Sequence, residues 1–568
     1  MDIEGFRKAG YAAVDRICDY YASLSTLPVS SAVAPGFLSH SIPSDPPNDP
    51  EEWETIDSDY HSIIMPGITH WQHPNFYAYF PCNASFPGAI ADLYCAAISN
   101  PGFNWSVSPS VTELEILMVD WVARMLGLDE QWLSTSKSGT GGGVILGSAS
   151  EVALTVAIAA RERCIRILAD RFPMPMPTTA QTTHVDGERA NEVVQGQSVY
   201  VEPEPNLALH SKSAAGAAAQ VREPSTVRAN TSVAQWRAKL TSQLVVYGTT
   251  QTHSIAAKAA LILGLEFRAL HVAAPHYSLD AATLSQALRE DMQQGRIPFL
   301  LIATIGTTSS GAVDHLSEIV EVVHQYPTLW LHVDAAYAGV CLSLPELRSA
   351  MHLGAINSGK VDSFSTNLHK WGLVQFDCSP VFLRDRGHFS RALTITPEYL
   401  RTKHGDAGDV LDLRNLQISL GRRFRSLKIW FVLRSYGVSG FQQHLRSTIE
   451  LAHCFETLVR QDKSRLFQIV APPRWALVVF RLKPPHDQQD VQQSERLDSL
   501  NLLFWQQLQQ LTAEFVLTQT KLPGIGICLR FVVGSPQTRL HHVESTWNRI
   551  SQTALKTWAK FNDTSTAS

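Results

Sequence analysis

Trp330-Leu331-His332-Val333-Asp334-Ala335-Ala336-Tyr337 is an apolar run that ends in a carboxylate and continues into small residues. Similar short apolar runs occur at 244–247, 299–303 and 380–383, and helical patterns over 281–295 and 315–325 lie between them. This alternation predicts an α/β fold with a parallel sheet. Because open α/β sheets bind ligands beyond the carboxyl ends of their strands, we expect Asp334 to lie at a binding site.

The regions on either side of this sheet have different patterns. Apolar residues at mostly helical spacing predict a helical arm over 6–24, which the Pro-rich stretch 43–50 ends. Residues 172–235 are rich in Pro, Ala, Thr and Ser with few large apolar residues, which predicts a disordered or loosely packed insertion. From 428 to 557 helical patterns mix with strand candidates at 477–482 and 526–533, which predicts a small α+β domain, and the polar tail 558–568 is expected to fray.

Composition favours an enzyme that acts on small molecules. The 568 residues are 45% hydrophobic and 17% charged, so the chain can bury a large core. A net charge of -5 offers no basic surface for nucleic acid, and no apolar run of about 20 residues predicts a membrane span. The first residues lack the pattern of a secretory signal, and the eight cysteines form no C-x-x-C pair. We therefore expect a cytoplasmic protein with reduced thiols and no metal site.

A lysine follows a further strand candidate, in Ser363-Phe364-Ser365-Thr366-Asn367-Leu368-His369-Lys370-Trp371. A desolvated lysine loses its proton more easily and can then attack an aldehyde. Most single lysines are solvated surface groups, so Lys370 needs support from the residues around it.

Asp334 and a Gly-rich stretch provide that support. A carboxylate at the end of a strand can pair with a protonated pyridine nitrogen, although a loop-capping role is also common. Residues 147–151, Gly-Ser-Ala-Ser-Glu, precede a helical run over 152–169, and the start of a helix suits a phosphate group. No Gly-Lys followed by Ser or Thr occurs there, so a nucleotide triphosphatase is not predicted.

Taken together, these segments resemble the group II decarboxylases that depend on pyridoxal 5'-phosphate (PLP), in the aromatic-L-amino-acid decarboxylase branch. The resemblance rests on five separated segments: His369-Lys370, residues 332–336, residues 147–151, Thr69-His70-Trp71 with Phe80-Pro81, and residues 421–428. It covers nearly the whole chain except the 172–235 insertion and the two tails. It implies fold type I, the aspartate-aminotransferase-like fold, with domains at 1–85 (helical and dimerising), 86–427 (large, PLP-binding) and 428–557, in a homodimer.

The resemblance also implies site residues. Lys370 would hold PLP covalently, Asp334 would pair with the pyridine nitrogen, and Ala336 would pack under the ring. His253 would stack on the exposed face of the ring. The other expected cofactor residues are Ser148, Ala149, Ser150, Thr304, Asn367 and His369.

The expected reaction needs a proton donor, because a proton must return to Cα after carbon dioxide leaves. Tyr399 matches the tyrosine of the family's mobile loop, and His404 is a candidate helper in the same loop. Family members with Phe at that position tend to be aldehyde synthases that oxidise the amino acid, so Tyr399 and His253 favour simple decarboxylation.

The expected substrate is an aromatic L-amino acid. The apolar wall that the resemblance implies consists of Trp71, Tyr79, Phe80, Pro81, Cys82, Phe103 and Gly421. Gly421 leaves room for a large ring, which favours tryptophan or 5-hydroxytryptophan and leaves dopa, tyrosine and phenylalanine open. Cys82 departs from the family pattern, because the animal enzymes have Thr there. An aromatic aldehyde synthase and an aminotransferase are the alternative activities.

Overall fold

The computed structural model describes residues 1–171, 225–484 and 493–566. Most of the predicted insertion over 172–235 lies outside these residues, and its last part, from Ser225, begins a helix. Among the described helices, none is long and apolar enough to cross a membrane.

Helices form the N-terminal region. They are α1 (Ile3–Ser23), α2 (Phe37–Ser41), α3 (Trp53–Asp59) and α4 (Phe86–Ile98). The side chain of Asp2 accepts a hydrogen bond from the Gly5 N–H and caps α1, which confirms the predicted helical arm. Large apolar side chains on α1 and α4 are nevertheless exposed, among them Phe6 (61%) and Tyr94 (54%).

A seven-stranded mixed sheet forms the centre of the molecule. Its strands are β1 (Gly142–Leu146), β2 (Leu244–Thr249), β3 (Glu266–Leu270), β4 (Ile297–Thr304), β5 (Trp330–Asp334), β6 (Ser363–Ser365) and β7 (Ser379–Leu383), in the order β1-β7-β6-β5-β4-β2-β3. The predicted α/β class and strands are confirmed, but the expectation of a wholly parallel sheet is wrong at one position. Strand β7 runs antiparallel to both β1 and β6. Residues 366–378, between β6 and β7, hold a single helical turn instead of the helix that usually forms the crossover of a parallel pair.

Helices cover both faces of this sheet. They are α5 (Pro109–Leu126), α6 (Ala149–Arg171), α7 (Ser225–Thr241), α8 (Ile255–Ile262), α9 (Ala281–Gln293), α10 (Leu316–Val323), α11 (Leu353–Ile356), α12 (Leu368–Trp371), α13 (Gly387–Leu393) and α14 (Lys403–Ala407). Successive side chains of β4 pack into different cores because they point to opposite faces of the sheet. Leu300 and Ile302 pack in one core, and Leu301 and Ala303 pack in the other. A sheet that is buried on both faces leaves its strand ends as the place where polar groups can meet a ligand.

The C-terminal region packs a second sheet against long helices. It contains α15 (Arg425–Arg460), β8 (Phe467–Ile469), β9 (Leu477–Leu482), α16 (Gln493–Leu508), β10 (Thr518–Leu522), β11 (Gly526–Val532) and α17 (Leu540–Thr566), with antiparallel strands in the order β10-β11-β9-β8. The α+β mixture and the predicted strands are confirmed. The expectation of a fraying tail from 558 is wrong, because Trp558 and Phe561 pack against the core and α17 continues to Thr566.

Candidate active site

Lys370 lies on the single turn α12, between the ends of β6 and β7. Its Nζ atom is 5.2 Å from the centroid of the Phe80 ring. Burial lowers the pKa of Lys370, nearby Asp334 opposes that shift, and the positive charge of Arg530 adds to it. The amine is therefore deprotonated more easily than an ordinary lysine, which suits attack on an aldehyde.

A cavity of about 180 Å³ in front of Lys370 brings most of the predicted cofactor residues together. Its lining includes Lys370, Asp334, Ala336, Asn367, Thr304, His253, Ser148, Ala149, Ser150 and Phe80. The residues come from the ends of β4, β5 and β6 and from the start of α6, as expected for a site at the carboxyl edge of the sheet.

Asp334 ends β5 at the floor of this cavity, where only 5% of its surface is exposed. Its Oδ1 accepts a hydrogen bond of 3.0 Å from the Ala336 N–H. His332, two residues earlier, lies within hydrogen-bonding distance of the hydroxyls of Ser363 (2.8 Å) and Ser365 (3.3 Å). Burial lowers the pKa of His332 to about 4, so the ring is neutral beside the Asp334 carboxylate.

The start of α6 and the residues next to it form another part of the cavity wall, which we call the donor end. Helix α6 begins there, and the hydroxyl of Ser148 accepts a hydrogen bond from the Glu151 N–H at 3.2 Å. Thr304 Oγ1 and Asn367 Oδ1 are buried and have no hydrogen-bond partner within the described ranges. Buried polar groups normally have partners, so these two atoms are left for a ligand, and the free N–H groups at the start of α6 suit a phosphate.

His369 lies behind this donor end and determines how Asn367 can act. The Cys378 N–H donates to His369 Nδ1 at 2.8 Å, and burial lowers the pKa of His369 to about 4. The neutral ring therefore carries its proton on Nε2, which is 3.4 Å from Asn367 Nδ2, a second donor. Two donors do not pair and Asn367 Oδ1 has no described partner, so we exchange the amide oxygen and nitrogen: Oδ1 then accepts from His369, and the NH₂ group is left as a donor for the cavity.

His253 lines the cavity from the β2–α8 loop. Its Nδ1 accepts a hydrogen bond of 3.3 Å from the Ile255 N–H. Burial, and then the positive charge of Lys370, lower the pKa of His253, so a neutral ring faces the cavity. A neutral imidazole can stack on a planar ligand and still donate from Nε2.

Sequence reasoning missed Tyr337 and Arg530. The Tyr337 ring stacks on Phe80, with centroids 3.7 Å apart, and on Trp371, at 5.1 Å. Arg530 is 2% exposed, its guanidinium lies 4.8 Å from the Phe80 ring, and burial lowers its pKa to about 10. One arginine within the apolar stretch 527–533 was the available signal, because a charge on a buried strand needs a reason.

The predicted proton donors lie outside the cavity lining. Tyr399 is 79% exposed. His404 Nδ1 is 3.3 Å from Asp409 Oδ2, and its ring meets the edge of Trp105 at 5.2 Å. In this arrangement neither residue reaches Lys370.

Most of the predicted substrate wall also lies outside the lining. Trp71 and Tyr79 stack on each other at 5.5 Å and are 38% and 56% exposed. Phe103 and Gly421 lie on neighbouring segments, which are joined by the hydrogen bond from the Arg422 N–H to the Pro101 oxygen (2.6 Å). Phe80 is the member of the predicted wall that contacts the cavity directly, and its neighbours Pro81 and Cys82 lie beside it in the chain.

Comparison with known proteins identifies the family. The pyridoxal-dependent decarboxylase conserved domain matches residues 35–194 and 210–483. The chain belongs to this family.

Several relatives resemble this decarboxylase over nearly their full length. It is 35% identical to tryptophan decarboxylase 2 of Oryza sativa subsp. japonica (99% of this chain, 96% of the relative). It is 37% identical to the aromatic-L-amino-acid decarboxylase of Rattus norvegicus (98% of both chains), and 36% identical to the phenylacetaldehyde synthase of Arabidopsis thaliana (98% and 96%). The crystal structure of Oryza sativa TDC with PLP and tryptamine superposes with a TM-score of 0.80 at 33% identity, over 98% of this chain and 99% of that one. These likenesses confirm fold type I.

The residues of the cavity fit the PLP on which this family depends. Lys370 offers an amine of lowered pKa, and Asp334 offers a carboxylate in the same cavity. Thr304 and Asn367 offer buried polar atoms that have no other described partner, and the start of α6 lines the cavity with them. An aldehyde, a pyridine nitrogen and a phosphate would each meet a suitable group.

Proposed function

We propose that this PLP-dependent decarboxylase converts an aromatic L-amino acid to the corresponding arylethylamine and carbon dioxide. The observation that carries the proposal is the single cavity that combines Lys370, Asp334 and the aromatic wall of Phe80. The full-length likeness to tryptophan and aromatic-L-amino-acid decarboxylases supports it.

Each residue has a separate task in this proposal. Bound PLP supplies the electron-accepting ring that takes up the bonding pair when carbon dioxide leaves. Lys370 binds the cofactor through its amine, and Asp334 keeps a proton on the pyridine nitrogen. Ala149, Ser150 and Asn367 anchor the phosphate, Thr304 lies near the ring, and His253 covers the open face of the ring.

Proton return to Cα requires the loop around Tyr399 to move towards the cavity. Tyr399 then delivers the phenolic proton, and His404 assists it. Gly408, at φ 73°, ends α14 in a left-handed conformation that suits glycine within such a segment.

The proposed substrate has a large aromatic ring. Phe80 forms an apolar wall beside Lys370, which would poorly solvate a second carboxylate. Gly421 leaves space for an indole, so tryptophan and 5-hydroxytryptophan are favoured. Burial raises the pKa of the Cys82 thiol, so this residue offers only a weak neutral donor where a hydroxyl would bind more strongly.

The test supplies the purified protein and PLP with tryptophan, 5-hydroxytryptophan, dopa, tyrosine and phenylalanine in turn. We expect amine and carbon dioxide in equal amounts, without hydrogen peroxide or ammonia. Equal amounts of carbon dioxide, peroxide and ammonia would instead establish an aldehyde synthase, the activity that the likeness to phenylacetaldehyde synthase supports. Turnover that requires a keto acid would indicate an aminotransferase.

The chain is also proposed to act as a cytoplasmic homodimer. Exposed apolar side chains on α1 and α4, such as Phe6 and Tyr94, support an interface there. The location of Phe103 and Gly421 outside their own chain's cavity supports a substrate wall that a second copy completes. Light scattering in solution should give about twice the chain mass of 62.8 kDa, and a mass equal to one chain would overturn the dimer.

A further inference from the structure

A short segment before α4 connects three parts of the molecule, and we call residues 81–85 the strap. Gln72 holds it from the N-terminal side, by donating to the Cys82 oxygen (2.5 Å) and accepting from the Ala84 N–H (3.1 Å). At its end, the hydroxyl of Ser85 donates to the oxygen of Leu373, just after α12 (2.7 Å).

Asn83 lies at the centre of the strap and is 2% exposed. Its N–H donates to the oxygen of Lys370 itself at 3.1 Å. Its side-chain NH₂ donates to the oxygen of Gly534, in the C-terminal region, at 2.8 Å. Its side-chain oxygen is 3.5 Å from the Leu373 N–H. The side chain thus joins Leu373, just after the turn that carries Lys370, to Gly534, just after β11.

The turn that carries Lys370 depends on such outside contacts. Helix α12 is four residues long, so its last carbonyls have no helical partners of their own. Leu373, just beyond it, has a φ of 58°, a left-handed conformation that persists in a non-glycine residue only when its surroundings hold it.

The fit between the strap and the C-terminal region leaves no spare room. A Cβ atom built on Gly534 would lie 2.2 Å from side-chain atoms of Pro81. Real Cβ contacts do not approach so closely, so residue 534 must be glycine for the strap to pack against it. This packing and the hydrogen bond from the Asn83 NH₂ to the Gly534 oxygen give a displacement of the C-terminal region a route to the oxygen of Lys370.

We propose that Asn83 is a positioning residue that couples the docking of the C-terminal region to the orientation of Lys370. When the region is docked, the backbone N–H of Asn83 holds the Lys370 oxygen, and its side chain joins Gly534 to Leu373, so that α12 is fixed and the Lys370 amine is aimed into the cavity. This inference rests on the proposed function of Lys370 as the cofactor-binding lysine.

The test compares Asn83→Ala, which keeps the backbone N–H and loses the side-chain contacts with Gly534 and Leu373, with Ser535→Ala, each prepared with PLP. Ser535 is the matched control, because its hydroxyl also joins the C-terminal region to the N-terminal region, by donating to the Gln72 oxygen at 2.8 Å, without contacting α12. The readouts are the visible absorbance of bound PLP as a function of pH, thermal unfolding, kcat and KM.

Both variants should unfold at lower temperature than the wild type. Asn83→Ala alone should shift the midpoint of the absorbance titration, by about half a pH unit or more, and lower kcat about tenfold with little change in KM. If both variants lose stability and both keep the wild-type titration and kcat, Asn83 is only structural and the proposal is wrong. If Asn83→Ala does not fold, Asn83→Ser replaces it in the test, because serine keeps a side-chain donor. Asn83→Ser should shift the midpoint of the same absorbance titration to a smaller extent. An unshifted titration would overturn the proposal.

The absorbance titration does not depend on which amino acid is the substrate. A wild-type protein that binds PLP through Lys370 but releases no carbon dioxide from any aromatic amino acid would refute the proposed function and leave the Asn83 comparison readable. A wild-type protein that turns over normally, beside an Asn83→Ala variant with unchanged spectrum and kcat, would refute only the coupling.

Discussion

Two regions of the site differ in how deeply the chain buries them: the floor of the cavity, at the ends of the central strands, and its mouth, the aromatic residues outside the cavity lining. At the floor, Thr304, Asp334 and Asn367 are at most 5% exposed and lie at the ends of buried strands. At the mouth, Trp71, Tyr79 and Tyr399 are 38%, 56% and 79% exposed. The contrast indicates that the floor is organised within one chain, whereas in the proposed function substrate enclosure and proton delivery would add a loop movement and a second copy.

The largest effect should come from removing the amine at the floor. Lys370→Ala should lower the rate of carbon dioxide release by roughly a thousandfold or more, because no other described amine lines the cavity. The variant should also lack the visible absorbance that the wild type gains with PLP. Retention of full activity would remove Lys370 from the proposed site.

The floor should also set the acid stability of the protein, through His332. The pKa of this buried ring is lowered to about 4, whereas an unfolded histidine titrates near 6.5. The contribution of this pKa difference to the free energy of unfolding is therefore fully present above pH 6.5. It is lost as the pH falls towards 4, because the unfolded state gains a proton that the folded state does not.

The loss assigned to His332 amounts to about 3 kcal/mol of unfolding free energy across that range. Denaturant unfolding at several pH values should show a shallower pH dependence for His332→Gln than for the wild type. Parallel curves for the two proteins would show that His332 does not carry this dependence.

Asp334→Asn tests the electronic role of the floor without changing its shape. A carboxylate partner raises the pKa of a cationic ring by about two units, so its loss should lower kcat about a hundredfold. PLP should still bind, because Lys370 and the donor end remain. Equal loss of PLP binding and kcat would mean that Asp334 acts mainly in binding.

The sequence predicts the floor well and the mouth poorly, for physical reasons. Lys370, Asp334 and the start of α6 lie next to strands and a helix whose periodicity is visible in the chain, so their meeting at one sheet edge follows from topology. Tyr337 and Arg530 escaped notice because aromatic stacking and a buried cation depend on how two distant regions pack. The antiparallel β7 and the helical tail were missed because tertiary packing, not local pattern, decides them.

Tyr399→Phe tests the proposed proton donor at the mouth of the cavity. Loss of the phenolic proton should lower the rate of amine formation at least about tenfold, because general acid catalysis contributes at least that much. Release of carbon dioxide should fall less, with hydrogen peroxide and ammonia making up the difference. An unchanged ratio of amine to carbon dioxide would place the proton donor elsewhere, and His404→Gln is the next variant to assay.

The smallest expected effect concerns His369, which lies beside Asn367 and outside the cavity lining. His369→Gln removes the Nε2 proton that faces the Asn367 amide and so releases the amide to rotate. One weakened hydrogen bond to the phosphate should raise the Kd for PLP about fivefold, since such a bond contributes about 1 kcal/mol.

Equilibrium titration of the apoprotein with PLP measures the effect of His369→Gln directly, and KM for the amino acid should remain within about twofold of the wild type. The control is Asn367→Ala, which removes the amide itself and should weaken PLP binding at least as much. In the double variant the two changes should not add, because His369 acts through Asn367. Additive losses would show that His369 reaches the cofactor independently, and the donor end of the cavity would then contain one more direct contact than its hydrogen bonds indicate.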